Sequence, residues 1–298
     1  MSVLARISDG LVNVVANLNT GRDKQASSEY VDRKFSPQEL LTMYRNSWLA
    51  AAIVDYPAED ATRNWRYWRA EADQISKIEA EEKRLSLQSK IHEALTMSRL
   101  YGGGAIYINT PDGDQRSPLL PGALIRSLVV LTRHEIRAKE IVKDIDSPYY
   151  GKAEYYIIRS QGRGSSEVEI HASRLVIIPG KPVPASLNET GSVWGDSYLQ
   201  TTYDAILQTD NTMANIASLV FEAKIDVIKF QGFADMMAQN RDADVIRRLH
   251  LQAAMKGING TVVIDAQDDY EQKSASFAGL TDVLSKFQDN VSGAARIP

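Results

Sequence analysis

The sequence contains no cysteine in its 298 residues. This absence excludes a disulfide framework, a thiol nucleophile and a thiolate metal site, and it fits a reducing compartment. No apolar run approaches the ~18 residues that a membrane-spanning helix needs. Asp9, Asn13 and Asn17 interrupt the apolar positions near the N-terminus, where a secretory signal would need a continuous apolar core. We therefore expect neither a membrane span nor a signal peptide.

Histidine is also scarce, and no two of the four histidines have the spacing of metal ligands. His171-Ala172-Ser173 matches one half of the H-x-T/S pair of two-histidine phosphodiesterases, in which one imidazole acts as base and the other as acid. No second tripeptide completes the pair. We therefore interpret His171 as a histidine at a strand end that holds a turn.

Other signatures of catalysis or metal binding are missing as well. Neither a G-x-S-x-G elbow nor a G-x-x-x-x-G-K-[ST] loop is present. The acidic residues between Asp265 and Asp269 lack the spacing of a calcium loop and indicate a polar turn. We predict a protein that is not an enzyme and that has no cofactor and no metal site.

The charge balance limits the modes of nucleic-acid binding. The formal net charge is −4, with 44% hydrophobic and 24% charged residues, which is ordinary globular composition. A protein that grips nucleic acid through its surface is usually basic. An acidic protein can still handle DNA by enclosing it.

The strongest periodic pattern lies between Tyr198 and Ala223, where no proline or glycine occurs. Its apolar positions recur every three or four residues and predict a helix roughly 40 Å long, with Asp196 or Ser197 as N-cap. A second amphipathic stripe starts near Phe277. Between them, residues 224–276 carry strand, helix and strand signals, which predict a small α/β insert.

The chain before the long helix indicates an α+β fold, with helices followed by short antiparallel strands. Residues 2–18 predict an amphipathic helix, and the helix that starts at Pro37 should end near Asp55 because Pro57 disfavours helical geometry before it. Ser86 should divide the next helical stretch, and the three glycines from Gly102 should end it. Residues 65–69 interleave aromatic rings with arginines. They predict a strand with rings in the core, or alternatively a surface that stacks on bases.

Several runs along the chain together resemble a family of tailed-bacteriophage portal proteins. The runs, in order, are GRDKQAS, IVDYPAEDATRNW, SRLYGGGAIYI, EIHASRLVIIPG, WGDSYLQTTYDAI and VSGAARIP. Portal proteins form rings, usually dodecamers, at one capsid vertex, and DNA passes through the central channel. The resemblance implies a bacteriophage virion protein, assembled in the host cytoplasm, that serves DNA packaging, capsid assembly and genome ejection as a head-tail connector.

The resemblance also implies a domain organisation. An N-terminal helix and linker (1–29) would precede a helix-rich wing with an antiparallel sheet (30–195). A first stem helix (196–223), a small α/β clip (224–276) and a second stem helix (277–298) would follow. In the family, the R-I-P at Arg296 to Pro298 is followed by further residues that build the channel loop, a long wing helix and the crown. We expect a chain that lacks that C-terminal part.

The expected sites are surfaces for partners. Apolar positions of the first stem helix should contact neighbouring subunits, namely Tyr198, Leu199, Tyr203, Ile206, Leu207, Ile216 and Leu219. Arginine and methionine are favoured in interfaces, so the clip should dock partners through Phe233, Met236, Arg241, Arg247, Arg248 and Lys256. Alternatively, Phe233, Met236 and Met237 close the core of the clip.

The implied partners are further copies in a ring, the large terminase subunit, a neck or adaptor protein, and capsid and scaffolding proteins. Double-stranded DNA would pass through the channel without sequence specificity. Two other functions remain open. Some relatives of the family are grouped with viral phosphodiesterases that destroy the cyclic-oligonucleotide signals of host defence, and a virion adaptor without DNA contact is the third possibility.

Overall fold

The computed structural model describes residues 33–159, 167–184, 192–221, 224–229, 246–247, 250, 269–274 and 279–297. The chain divides into two compact units, residues 1–200 and 201–298, and each is described by itself. The helices of the first unit are α1 (Pro37–Asn46), α2 (Trp48–Arg63), α3 (Ala72–Arg84) and α4 (Leu87–Tyr101). Its strands are β1 (Gly103–Asn109), β2 (Ser127–Thr132), β3 (Ile136–Ala138), β4 (Tyr155–Arg159), β5 (Glu167–His171) and β6 (Leu175–Pro179).

The six strands form two antiparallel sheets. The first has the order β2-β1-β6 and the second the order β3-β4-β5. Ile106 of β1 lies opposite Val130 on one side and Val176 on the other. One apolar cluster joins the two sheets and contains Ala105, Leu131, Ile136, Ala153, Tyr156, Ile170 and Leu175. This mixture of helices and antiparallel strands confirms the predicted α+β class, although the short strand β3 was not predicted.

The helix that starts at Pro37 differs from the prediction. Ser36 and Glu39 form a capping box at its start, but α1 ends at Asn46, and α2 then continues through Pro57 to Arg63. Proline has no N–H, so the Ile53 carbonyl loses its helical donor. The Arg99 guanidinium replaces that donor, with Nε and Nη2 at 3.1 and 2.6 Å from the Ile53 oxygen. The predicted end near Asp55 is wrong because a tertiary contact satisfies the carbonyl.

The next two helix boundaries confirm the prediction. Ser86 separates α3 from α4 and has a φ of 50°, in the left-handed region. Gly102 ends α4 with a φ of 82°, which favours glycine because a side chain there would be strained.

The aromatic segment after α2 is not a strand and does not enter the core. Residues 65–69 have no regular secondary structure, and Tyr67 is 95% exposed. The Arg66 guanidinium lies 5.0 Å from the ring centroid of Trp65 and 4.7 Å from that of Trp68. Glu82 of α3 accepts hydrogen bonds from Trp65 Nε1 at 3.0 Å and Arg66 Nε at 2.8 Å. These local contacts hold the rings against the side chain of Arg66 and not in the core.

The long helix α5 runs from Tyr198 to Phe221, starting in the first unit and continuing into the second. It confirms that this stretch is a long helix, while its assignment as the first stem helix stays a prediction. In the second unit, strands β7 (Lys224–Lys229) and β8 (Asp269–Ser274) pair antiparallel. Helix α6 (Leu280–Ala295) matches the predicted second stem helix. The Thr209 hydroxyl of α5 donates to the Phe287 carbonyl of α6 at 3.3 Å.

Several predicted elements lie outside the described residues. They are the N-terminal helix of residues 2–18, most of the clip helix, and the clip strand of residues 261–265. Helical residues 246, 247 and 250 fall within the predicted clip helix. Across the described part of the chain, no helix is both long and apolar enough to cross a membrane.

Candidate assembly site

Three glycines that are distant in sequence meet where α5 begins. The Gly180 and Gly195 amides both donate to the Gly102 carbonyl, at 3.1 and 2.9 Å. A Cβ on Gly180 would lie 2.4 Å from Gly102 Cα, and a Cβ on Gly195 would lie 2.3 Å from the Lys181 oxygen. No side chain fits between backbones this close, so the junction requires glycine at these positions.

Further backbone contacts join the segment before α5 to the first sheet. Lys181 and Asp196 exchange two hydrogen bonds of 2.8 and 2.9 Å. Arg133 Nη1 donates to the Gly195 carbonyl at 2.7 Å. A Cβ on Gly103 would lie 2.3 Å from the ring of Trp194, so the indole can pack here only because this residue has no side chain. The start of the stem helix is therefore held by several strand and loop contacts.

Arg99 connects α2, α4 and α5. While its nitrogens bind the Ile53 carbonyl, its Cζ lies 3.9 Å from the ring centroid of Tyr198. Burial lowers the pKa of this guanidinium, although the Tyr198 side chain opposes the change. Ser197 Oγ accepts from the Leu199 amide at 3.1 Å, so Ser197, and not Asp196, caps the helix.

This junction explains why runs scattered along the sequence occur together. Four of the runs noted above each contribute a contact described here. The contributing residues are Ile53 and Pro57, Arg99 to Gly104, the P-G at 179–180 and the W-G-D-S-Y at 194–198. Sequence reasoning missed the junction because no single motif carries it. Glycines after helix α4, after strand β6 and before helix α5 were the available signal.

The burial of α5 changes along its length. Its buried residues are Leu199, Thr202, Ile206 and Thr209, spaced by three or four residues along one face. No residue from 211 to 219 is buried. Leu207, Met213 and Leu219 are 43%, 37% and 48% exposed. From Leu207 onward, the helix thus presents apolar side chains that the described chain covers only in part.

The predicted stem residues separate accordingly. Leu199 and Ile206 are buried within the single chain. Their assignment to a subunit interface stays a prediction. Tyr198 is half-buried against Arg99. Tyr203 and Ile216 are half-buried, and Leu207 and Leu219 are exposed. On α6, Val291 and Ala295 are buried, whereas Val283 is 46% exposed.

Of the predicted clip residues, only Arg247 is among the described residues. It is helical, and its side chain is exposed. Phe233, Met236, Arg241, Arg248 and Lys256 lie outside the described residues, as does Met237. Their role in docking stays a prediction.

His171 has the structural role that its position predicted. It is 3% exposed, and its Nδ1 lies 3.1 Å from the Ser173 amide and 2.8 Å from the Ser173 hydroxyl. The rings of Tyr149 and Tyr155 meet it edge-on at 5.7 and 5.4 Å. The Ser173 hydroxyl also accepts from the Leu119 amide at 2.7 Å. This imidazole fixes the turn between β5 and β6.

Metal-binding groups are not apparent at this site. Over the described ranges, no three histidine, aspartate or glutamate side chains come together in a group that could hold a metal ion.

Two solved structures similar to this chain are a particle neck and a portal protein. The neck of an empty gene transfer agent particle matches with a TM-score of 0.48 and 14% identity, over 90% of this chain and 71% of that one. An HK97-family phage portal protein from Corynebacterium diphtheriae matches with a TM-score of 0.39 and 10% identity, over 71% of this chain and 59% of that one.

Three curated sequences are more closely similar. "Anti-CBASS protein Acb1" of Caulobacter sp. (strain RHG1) is 36% identical, over 97% of this chain and 49% of that protein. The protein of the same name from Sphingomonas paeninsulae is 33% identical, over 100% and 50%. An uncharacterized protein of Haemophilus influenzae is 29% identical, over 98% and 66%. The chain thus spans about half the length of the two Acb1 relatives.

The family comparison covers most of the chain. A family model described as "Phage portal protein" matches residues 38–298, a range that includes the glycine junction, both stem helices and the insert between them. The chain therefore belongs to the phage portal protein family.

Proposed function

We propose that this protein is a structural subunit of a ring at a capsid vertex, through which double-stranded DNA is packaged and ejected. The observation that carries the proposal is α5, which is tightly held at its start and exposes Leu207, Met213 and Leu219 further along. Exposed apolar side chains on a firmly held helix are suited to subunit contacts, because burying them needs no rearrangement of the anchor. Membership of the portal family supports the same role.

A ring needs a heterologous contact, in which one face of a subunit meets a different face of the next. Two of the exposed positions of α5 lie on opposite sides of its buried stripe. Leu207 lies to one side and Leu219 to the other, since successive helical residues rotate by about 100°. Each subunit can therefore contact one neighbour on each side through the same helix.

The assembly test combines native mass measurement with averaged electron micrographs of the purified chain. We expect a closed ring with a central hole wide enough for duplex DNA, and we expect Leu207→Asp and Leu219→Asp to dissociate it, because a buried unpaired charge is costly. Leu120→Asp is the matched control, since Leu120 is 72% exposed and lies outside the stem helix.

Three results would contradict this proposal. The proposed ring would be refuted if the chain stayed monomeric at high concentration, both alone and when joined to the C-terminal region of its relatives. If Leu120→Asp weakened assembly as much as the two stem-helix variants, the stem helix would not be the contact between subunits. Oligomers without a central hole would favour the virion adaptor without DNA contact.

The insert between the stem helices is the proposed docking surface for the terminase motor and, later, for a neck protein. Arg247 is exposed there, and the sequence places Arg241, Arg248 and Lys256 in the same insert. Capsid and scaffolding contacts, virion location and assembly in the host cytoplasm belong to the same proposal. They follow from the portal family.

The second candidate function is interference with host defence, which the printed name of the two Acb1 relatives favours. Two observations argue against a phosphodiesterase site in this chain. His171 is buried and bonded to Ser173, and the sequence has no second H-x-T/S tripeptide. We therefore propose a non-enzymatic role for this chain.

Incubation with cyclic di- and trinucleotides tests that second candidate. We expect no linear products from the purified chain. Hydrolysis that persists in Glu154→Gln but disappears in His171→Gln, with both variants folded, would establish the enzymatic function and overturn our proposal. Glu154 is a suitable control because its carboxylate lies near the same imidazole, at 3.8 Å from Nε2.

A further inference from the structure

A cavity of about 350 Å3 lies beside the start of the stem helix, entirely within the first unit. Arg33, Lys34, Arg133 and His134 line it, together with the rings of Phe35 and Tyr101. Asp196 is the one acidic residue among its described lining residues. Three permanent cations against one carboxylate give the cavity a positive balance in a chain whose net charge is −4.

We propose that this cavity binds a phosphate group of a small phosphorylated molecule. Phosphate is the anion that arginine and lysine recognise together, arginine through its planar fork and lysine as a point charge. The two rings supply an apolar wall, which suits the rest of a nucleotide-sized ligand. The volume admits such a molecule but not a DNA duplex.

The cations are fixed in different ways. The Arg33 backbone carbonyl accepts a hydrogen bond from the Gln200 side-chain amide, and Arg133 Nη1 donates to the Gly195 carbonyl at 2.7 Å. Lys34 is exposed, and the described part of the chain offers it no hydrogen bond or ion pair. Its ammonium is therefore the group with most freedom to close on an anion.

The positive charge of the cavity does not depend on the helix terminus. The Leu199 amide of α5 is already bonded to Ser197 Oγ, and the Gln200 amide to the Ser197 carbonyl at 3.1 Å. The side chains supply the attraction. Because these side chains come from three separate segments, at 33–35, 101 and 133–134, an anion among them would also tie the segments together.

His134 provides a readout inside the cavity. Its ring meets Tyr101 edge-on at 5.6 Å. Burial, followed by the positive charge of Arg133, lowers the pKa of His134, while Glu135 opposes the change. A bound anion would add negative charge near the imidazole, so the pKa of His134 should rise when the cavity is filled.

The test is an NMR titration of the histidine-labelled full chain, with His134→Gln assigning the signal. We expect AMP and inorganic phosphate at millimolar concentration to raise the pKa of His134 saturably, AMP binding more tightly than phosphate. Lys34→Ala should weaken AMP binding about fivefold, the effect of one nearby charge in water. Lys77→Ala, at an exposed lysine of α3 outside the cavity, should leave it unchanged.

The other arms separate the possible sources of phosphate. A short DNA duplex should shift the His134 signal no more than an equal ionic strength of sodium chloride does. A saturable shift with duplex and none with AMP would place the site on the DNA path and overturn the small-molecule proposal. No saturable shift with any probe, or an equal loss in Lys34→Ala and Lys77→Ala, would remove the site altogether. Ring assembly is measured separately, so neither outcome bears on it.

Discussion

At the scale of single residues, Arg99 joins three helices through its side chain. It completes a helix that proline would otherwise interrupt and stacks on the first residue of the stem helix. Arg99→Ala would leave the Ile53 carbonyl without a donor. We expect a loss of about 2 kcal/mol in the free energy of unfolding, the value typical of hydrogen bonds to a charged group. Urea denaturation measures it.

Two variants make this prediction specific. Arg63→Ala removes an exposed arginine whose ion pair among the described residues is with Asp60, so it should change stability by less than about 0.5 kcal/mol. Pro57→Ala returns an N–H to the helix opposite Ile53, so Arg99→Ala should cost less in that background. Equal costs with proline and with alanine at position 57 would refute the link between Pro57 and Arg99.

Arg174 is a buried arginine that pairs with the exposed carboxylate of Asp112, and this ion pair makes stability depend on pH. Its side chain is 1% exposed, and Nη2 donates to Asp112 Oδ2 at 2.7 Å. The hydrogen bond from Arg174, then that from Thr110, lowers the pKa of Asp112 from its ordinary value of 3.8. The ionised form is therefore favoured in the folded state. Its contribution is complete above pH 3.8 and disappears as the pH falls through the lowered value.

The corresponding prediction concerns Asp112→Asn. The variant should be less stable than the unchanged chain at neutral pH, and the difference should narrow below pH 3.8. Thermal unfolding over a series of pH values measures it. Asp60→Asn, at the exposed pair with Arg63, is the control and should show little difference at any pH. A constant difference across the acid range would mean that the contact acts only through packing.

At the scale of secondary-structure elements, the glycine junction sets where the stem helix starts. Gly180→Ala would place a Cβ 2.4 Å from Gly102 Cα and 2.5 Å from the Asp196 oxygen, so either β6 or the segment before α5 must move. We expect a large loss of stability or of soluble protein. Gly293→Ala in α6 meets nothing within 4 Å and should be neutral or stabilising by up to about 1 kcal/mol. Thermal unfolding compares the two variants, and equal melting temperatures would show that the junction tolerates side chains.

The elements also show what the sequence could and could not predict. The break at Ser86, the stop at Gly102 and the role of His171 follow from contacts within a few residues, and the structure confirms them. The continuation of helix α2 through Pro57 depends on Arg99, and the position of Arg66 against the tryptophan rings depends on Glu82. Both partners are distant in sequence. Local patterns contain no information on such partners. The predicted helix end near Asp55 and the predicted strand at residues 65–69 were therefore wrong.

The same limit applies to the candidate site. Periodicity located α5 and its apolar positions, but it could not separate Leu199 and Ile206, which the chain itself buries, from Leu207 and Leu219, which it leaves exposed. That distinction depends on which neighbours pack on the helix. The convergence of Gly102, Gly180 and Gly195 likewise requires the sheet order β2-β1-β6, which the sequence does not fix.

At the scale of the whole molecule, the insert between the stem helices should act apart from ring formation. The interface residues proposed for the ring lie on α5, whereas Arg247 lies in the insert and is exposed. A double variant, Arg247→Glu with Arg248→Glu, reverses the charge of the proposed docking surface. We expect rings to form normally, while binding of the terminase subunit and DNA packaging both fall. In the unchanged protein, terminase binding should weaken as salt rises, because arginines steer an oppositely charged partner by long-range attraction.

The matched control for this prediction is Lys77→Glu together with Lys83→Glu, which reverses two positive charges on α3, outside the insert. It should leave terminase binding unchanged, so that a loss specific to the insert is distinguished from a change in net charge. Normal packaging by the Arg247 and Arg248 variant would show that these residues are not the docking surface. Failure of that variant to form rings would instead assign the insert to contacts between subunits, since a lost ring removes terminase binding whatever surface the motor recognises.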